Sequence, residues 1–158
     1  MPLEVDGRLF VSAAYGIGCS LMDIQRSEPK AVWSAGDVLS SQYNSAVCFK
    51  EHLYGIDGRE DVGQAELRCV ASTSGEVKWS QPGFGVAHLI LAEERLLILR
   101  IDGTLVLAEP RADRFVKLAE SEVAPNVTRA LPALAEGRFV FRDNQQSRGT
   151  LYSLQVGQ

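Results

Sequence analysis

The chain of 158 residues has no uninterrupted apolar run near the ~18 residues that a membrane-spanning helix requires. It also lacks a Lys/Arg cluster, and its 20 acidic and 16 basic side chains give a formal charge of −4. This charge balance argues against a nucleic-acid-binding or polybasic membrane-binding surface. Residues 1–6 lack the charged and then apolar layout of a secretory signal. As written, the sequence predicts one domain that is soluble and cytoplasmic.

Cysteine and histidine, the residues that form disulfides or bind metals, are scarce. The three cysteines, Cys19, Cys48 and Cys69, are too few and too scattered for a disulfide framework, and none forms a CxxC pair. We expect them to be buried as small apolar side chains. The two histidines, His52 and His88, lie far apart, and no serine near them sits in a nucleophile elbow. The sequence therefore predicts no catalytic residue.

Short segments with a period of two dominate the chain, and no window shows a capped helical stripe. Six segments are rich in β-branched, aromatic and leucine residues: 8–13, 46–50, 87–91, 95–101, 104–108 and 150–156. Asp102 and Gly103, between two of these segments, predict a tight hairpin with a primed turn, because both residues tolerate a positive φ. The predicted fold class is all-β.

An internal repeat determines the predicted architecture. The segment around Leu9 recurs around Leu53, Leu96 and Phe139, at spacings of 44, 43 and 43 residues. Another apolar segment precedes each of the last three copies, and a third strand follows each of the four. Four strands in about 43 residues are typical of a β-propeller blade.

The fourth strand of the predicted blades ends at Trp33 in the first repeat and at Trp79 in the second. The third repeat has Lys117 near the same position, and the last repeat lacks an outer strand. We predict a single propeller domain over 1–158, with repeats at about 1–43, 44–84, 85–127 and 128–158.

The most specific motif is segment 67–79, Leu-Arg-Cys-Val-Ala-Ser-Thr-Ser-Gly-Glu-Val-Lys-Trp. It resembles the tryptophan-docking motif of pyrroloquinoline-quinone-binding-like (quinoprotein-like) β-propellers, whose consensus is roughly Ala-x-Asp-x-x-Thr-Gly-x-x-x-Trp. Trp79 corresponds to the docking ring, Trp33 keeps that position in the first repeat, and Lys117 replaces it in the third. The chain is similar to the C-terminal half of such a propeller, a bacterial repeat protein usually of seven or eight blades.

The resemblance implies that Trp33 and Trp79 are structural, each packing between blades with its indole N–H near a backbone carbonyl of the next unit. Enzymes of this family hold their quinone between a tryptophan and a vicinal disulfide, beside a calcium ion. Here no two cysteines are adjacent, and segment 57–61 offers only three carboxylates for an ion that prefers six to eight oxygens. We therefore expect neither pyrroloquinoline quinone nor calcium to bind, and we predict no cofactor-binding or metal-ligating residue.

A ligand is expected on the face of a propeller where the loops between second and third strands meet the connections between blades. This predicted loop face comprises 15–18, 55–64, 102–103 and 142–148, with connections 34–44, 80–83 and 120–128. The candidate binding residues are Tyr15, Asp57, Arg59, Glu60, Asp61, Arg142, Asp143 and Asn144. We expect His88, on an inner strand, to be a core or channel-lining side chain.

The leading hypothesis is a non-catalytic module that binds or scaffolds a protein or an extended polymer. Two alternatives remain open: a degenerate or half quinoprotein dehydrogenase, and a truncated propeller fragment without activity. Because an incomplete blade exposes apolar surface and a strand edge, we predict a homodimer that forms one eight-bladed ring, with residues 1–5 of each copy against the open blade of the other. Relatives of this kind are typically exported, which leaves the localisation open.

Overall fold

Alternating inward and outward side chains build a series of antiparallel sheets in the computed structural model, which describes residues 1–25, 27–145 and 148–156. Blade 1 contains β1 (Leu3–Val5), β2 (Arg8–Ala13), β3 (Gly18–Asp23) and β4 (Lys30–Ala35). Blade 2 contains β5 (Val47–Phe49), β6 (His52–Arg59), β7 (Gln64–Ala71) and β8 (Val77–Gln81). Blade 3 contains β9 (Ala87–Ala92), β10 (Arg95–Arg100), β11 (Thr104–Glu109) and β12 (Val116–Glu122). Blade 4 contains β13 (Ala133–Ala135), β14 (Arg138–Arg142) and β15 (Leu151–Gln155).

Within each blade, every strand pairs with the next in the sequence, so that every sheet is a meander. Three blades have four strands and the last has three within the described residues, which confirms the predicted all-β fold of propeller blades with an incomplete final blade. None of the described residues belongs to a helix long and apolar enough to cross a membrane.

Three apolar cores form between consecutive blades. Phe10 and Leu21 of blade 1 pack against blade 2. Ile56 of blade 2 belongs to the core shared with blade 3, and Leu99 of blade 3 packs with Phe139 of blade 4. No core of described residues joins blade 4 to blade 1, so one sheet face remains uncovered at each end of the stack.

The first strand of blade 1 is an element that the sequence analysis did not identify. Leu3 pairs with Phe10 and Val5 with Arg8, so Leu3–Val5 is the innermost strand of its own blade. A three-residue strand is too short to reveal a period of two. That residues 1–5 also lie against the open blade of a second copy stays a prediction.

The predicted loop at 55–64 is largely a hairpin. Asp57 pairs with Glu66 and Arg59 with Gln64, which leaves only residues 60–63 as the turn between β6 and β7. Segment 120–128 is corrected similarly, because β12 continues to Glu122. Charged residues at the ends of strands resemble loop residues in sequence. The sequence analysis therefore ended both strands, β6 and β12, too early.

The predicted primed turn at Asp102 and Gly103 is also corrected. Three residues, 101–103, connect β10 to β11, the Gly103 amide donates to the Arg100 carbonyl at 3.0 Å, and of the two only Gly103 has a positive φ, at +86°. This combination is typical of a type I turn followed by a glycine bulge.

Primed turns occur instead between the first two strands of every blade. Both residues of each two-residue turn have a positive φ. The four pairs are Asp6-Gly7, Lys50-Glu51, Glu93-Glu94 and Glu136-Gly137. Blades 2 and 3 therefore place glutamate where the backbone favours glycine.

We expect Glu94→Gly to raise the free energy of unfolding by about 1 kcal/mol, because Glu94 has a φ of 59° that strains a residue with a Cβ. Urea denaturation measures the change. Glu94→Ala is the matched control, since it also removes the exposed ion pair with Lys50 at 3.6 Å but keeps the Cβ. An equal gain in both variants would assign the effect to charge and contradict the backbone explanation.

Candidate functional site

A polar network joins blade 1, the connection that follows it, and blade 2 on the loop face. Gln42 is its centre: its amide nitrogen donates to the Tyr15 hydroxyl at 2.8 Å and to Asp61 Oδ1 at 3.3 Å, and its amide oxygen accepts from the Glu60 backbone at 3.0 Å. The Arg59 guanidinium lies 4.2 Å from the centre of the Tyr15 ring and forms an ion pair with Asp61. The structure thus brings together four of the predicted site residues around a glutamine that the sequence analysis did not select.

Electrostatics within this network favour the charged states. The hydrogen bond from Arg59 lowers the pKa of the Asp61 carboxyl, and the same bond raises the pKa of Arg59. Asp61 is exposed and Arg59 is only half-buried, so their pairing orders the surface more than it stabilises the fold.

A second part of the network joins Glu60 of blade 2 to Tyr43 and to Arg129, which lies in the connection after blade 3. Arg129 donates two hydrogen bonds to the Glu60 carboxylate, at 3.0 and 2.6 Å, and Tyr43 donates a third at 2.7 Å. The bonds from Arg129 and then Tyr43 lower the pKa of Glu60. Burial, followed by the hydrogen bond to Glu60, raises the pKa of Tyr43 to about 12. Glu60 therefore links two parts of the chain that are 69 residues apart.

His88, on the inner strand β9, lies beneath this network. It is 2% exposed, its Nε2 lies 2.9 Å from the Arg129 carbonyl oxygen, and its ring centre is 6.1 Å from that of Tyr43. Burial lowers the pKa of His88 and favours the neutral ring, in which Nε2–H donates to that carbonyl. This geometry gives His88 a packing role beneath Tyr43 and Arg129.

Asp57 differs from the other candidates. It lies within β6 rather than on a loop, its Oδ1 accepts from the Ser40 amide at 2.6 Å, and its Oδ2 lies 3.0 Å from the Arg68 guanidinium. These contacts fix the connection between blades 1 and 2 to the second blade.

In the described ranges, no three His, Cys, Asp or Glu side chains are grouped in a way that could hold a metal ion.

The other predicted candidates cluster at blade 4. Asp143 is fully buried, and its carboxylate accepts from the Asn126 side chain at 2.8 Å, the Thr150 amide at 2.7 Å and the Tyr152 hydroxyl at 3.1 Å. The Asn144 amide donates to the Val127 carbonyl at 2.8 Å. These contacts attach the connection after blade 3 to the end of β14, where the exposed Arg142 lies.

The buried carboxylate predicts acid sensitivity. The hydrogen bonds from Asn126 and then Thr150 hold the pKa of Asp143 below its ordinary value of 3.8. A lowered pKa contributes stability that is complete above the unfolded value and lost as the pH falls below it. We therefore expect the free energy of unfolding to decrease between about pH 5 and pH 2, and Asp143→Asn to flatten this decrease. Urea denaturation across that range measures both slopes, and identical slopes would contradict the assignment to Asp143.

The two tryptophans lie at successive seams, the interfaces between neighbouring blades. The Trp33 indole N–H donates to the Ser72 carbonyl of blade 2 at 2.8 Å, and its ring centre is 5.9 Å from that of Phe10. The Trp79 indole N–H donates to the Arg111 carbonyl in blade 3, also at 2.8 Å. Each indole therefore connects its own outer strand to the next blade.

The third blade has alanine at the corresponding position, which corrects the assignment of Lys117. Trp33 pairs with Leu21, Trp79 pairs with Cys69, and a β-bulge follows each pair. In blade 3 the bulge follows the pair formed by Leu107 and Ala119, whereas Lys117 pairs with Ala108 beyond it. Ala119 is therefore the equivalent of the tryptophans.

No protein-family model matches the chain, and no curated protein does. Among solved structures, the chain is similar to the computationally designed Ika4 protein, with 13% identity, a TM-score of 0.69, and coverage of 99% of this chain and 89% of that one. It is also similar to BamB from Moraxella catarrhalis, with 11% identity, a TM-score of 0.61, and coverage of 90% and 40%. A europium-containing methanol dehydrogenase gives 10% identity, a TM-score of 0.60, and coverage of 90% and 34%.

The chain thus spans less than half the length of BamB and of the methanol dehydrogenase. At identities this low, the comparisons show the fold alone. The chain consists of β-propeller blades that are distantly similar in structure to the propellers of BamB and methanol dehydrogenase.

Proposed function

We propose that the chain is a non-catalytic binding or scaffolding module that acts as a homodimer, in which two copies of its single domain form an eight-bladed ring. The ring presents the polar network of the loop face to a protein or an extended polymer. The observation that supports this proposal is the pair of uncovered sheet faces at the two ends of the stack.

The uncovered face of blade 1 carries apolar side chains, the serines Ser20 and Ser34, and one acid. Leu9 pairs with Met22 and with Glu4, and these three side chains point away from the core shared with blade 2. Val11 lies on the same face two residues along β2. A face of this composition buries favourably against another sheet.

The uncovered face of blade 4 complements it in charge. Arg138, Val140 and Arg142 alternate with the buried phenylalanines of β14, so they point away from blade 3. Leu151 pairs with Arg142 on this face and is 73% exposed. Blade 4 of one copy therefore offers arginines and apolar side chains to blade 1 of the other, and a two-fold axis makes two equal contacts that close the ring.

Light scattering on a sizing column tests the assembly, and we expect a mass near twice the 17.3 kDa of one chain. Val11→Arg places a cation opposite the blade 4 arginines and is expected to give monomers. Val77→Arg, on the exposed outer strand of blade 2, is the matched control that keeps the dimer. A monomeric wild-type chain at micromolar concentration contradicts the ring.

The exposed network on the loop face supports the binding role, because Tyr15 and Arg59 offer an aromatic ring and a stacked cation to an incoming chain. Partner capture by the wild-type chain is compared with capture by Arg59→Ala and by Arg114→Ala. Arg114 is an exposed arginine of blade 3 outside this network. A partner lost only with Arg59→Ala supports the site, and a partner retained by all three proteins contradicts it.

A further inference from the structure

An apolar cleft of about 800 Å³ lies between blades 3 and 4. Its walls are mainly aliphatic side chains of both blades: Leu97, Leu105 and Leu107 of blade 3, and Leu134 and Val156 of blade 4. Ala119 on the outer strand β12 also lines it. The volume lies within the ~300–1,000 Å³ of pockets that hold ligands.

The cleft coincides with the seam that lacks a tryptophan. At the first two seams, the residues paired with Trp33 and Trp79 are completely covered: Leu21 is 1% exposed and Cys69 is 0% exposed. At the third seam, Leu107 is only half-buried and Ala119 is exposed. The space that an indole fills in two seams is therefore open in the third.

A strand edge ends at the same cleft, because Val156, which lines it, directly follows β15. In blades 1 to 3 the third strand pairs with an outer strand, namely β4, β8 or β12. Within the described residues, β15 pairs only with β14, so its outer backbone groups are unpaired. An extended segment that pairs with β15 would occupy the place of the missing outer strand, with alternate side chains directed at blade 3.

The rim of the cleft carries charges of both signs. Glu93, Glu120 and Arg95 line it, and Glu120 forms an ion pair with Lys117 at 2.8 Å. The apolar walls and the missing indole, rather than the charge of the rim, therefore determine what the cleft can hold.

We propose that the cleft and the outer edge of β15 form a docking site for an extended peptide segment of a partner protein that carries an aromatic side chain. The segment pairs with β15 as a fourth strand of blade 4. Its aromatic side chain enters the seam beside Ala119. This site is separate from the loop-face network and from the two uncovered sheet faces of the proposed dimer.

The chain's own blade 2 provides a suitable probe. A labelled synthetic peptide of residues 75–83, Gly-Glu-Val-Lys-Trp-Ser-Gln-Pro-Gly, contains an outer strand with a tryptophan. Fluorescence anisotropy of this peptide is measured against the full chain. We expect at least tenfold weaker binding of a control peptide in which alanine replaces the tryptophan.

A substitution in the protein localises the binding. Ala119→Trp fills the cleft and is expected to weaken binding of the tryptophan peptide at least tenfold. Leu118→Ala changes the neighbouring residue of β12, which does not line the cleft, and is expected to leave binding unchanged. Urea denaturation of both variants verifies that each remains folded.

Three outcomes overturn the proposal: no binding of the tryptophan peptide, equal binding of the tryptophan and alanine peptides, or binding that Ala119→Trp leaves unchanged. Light scattering also compares the mass of the Ala119→Trp variant with that of the wild-type chain. A difference between the two masses would overturn the proposal, because the occupant of the cleft would then be a second copy of the chain. Since the loop-face and sheet-face variants do not touch the cleft, failure here is distinct from failure of the proposed function.

Discussion

Trp79→Ala is expected to lower the free energy of unfolding by about 3–5 kcal/mol. The indole lies at the seam between blades 2 and 3, with its ring centre 6.1 Å from that of Tyr54 and 5.9 Å from that of Phe115. Removing it leaves a void bordered by Cys69, which is completely buried. Guanidinium denaturation of the full chain measures the loss.

A matched variant separates packing from hydrogen bonding. Trp79→Phe keeps an aromatic ring at the seam but removes the N–H that donates to the Arg111 carbonyl, and it is expected to cost about 1 kcal/mol. A loss below about 1 kcal/mol for the alanine variant would show that the indole contributes little to the seam.

Gly103→Ala is expected to destabilise the chain by about 3 kcal/mol or more. Gly103 has a φ of +86°, and a Cβ at this position would lie 1.9 Å from the Ala124 carbonyl oxygen. The backbone is held there, because the Gly103 carbonyl accepts from the Val123 amide at 2.8 Å and from the Ala124 amide at 3.3 Å. Relief of the clash therefore requires the loss of contacts with the connection after blade 3.

Asp102→Ala is the neighbouring control for this measurement. It removes a hydrogen bond to the Thr104 amide at 3.0 Å and an ion pair with Arg100, and is expected to cost about 1 kcal/mol. Comparable losses in thermal denaturation of the two variants would indicate that the turn tolerates a Cβ at Gly103.

The blade pattern could be predicted from the sequence because alternation reports a sheet with one buried face. Segment 8–13 was predicted with the bounds of β2, and Leu53, Leu96 and Phe139 are all completely or almost completely buried. The repeat spacing then predicted four sheets, since one blade occupies about 43 residues.

The position of Ala119 could not be predicted by counting residues. The count to Lys117 started at Leu105, but Leu107 is the third-strand residue that pairs at the position of Leu21 and Cys69. Lys117 was therefore placed two residues too early. Only the strand pairing identifies the residue that faces the seam.

The loop-face network was predictable only in part. Tyr15, Arg59, Glu60 and Asp61 belong to turns and strand ends that a propeller places on one face. Arg129 is 69 residues from the Glu60 that it contacts, and nothing in its local sequence distinguishes it from other exposed arginines. Such partners are defined by tertiary packing.

The sequential seams make the chain a linear array of coupled units, in which the stability of each unit depends on its immediate neighbours. Blades 2 and 3 are coupled on both sides, whereas blade 4 has three strands and a seam weakened by the cleft. Local opening therefore starts at blade 4, and its amide protons exchange before those of blade 2. Closure of the ring by a second copy would remove the free ends. The protection of blade 4 amides from exchange would then rise with protein concentration, while that of blade 2 amides would change little.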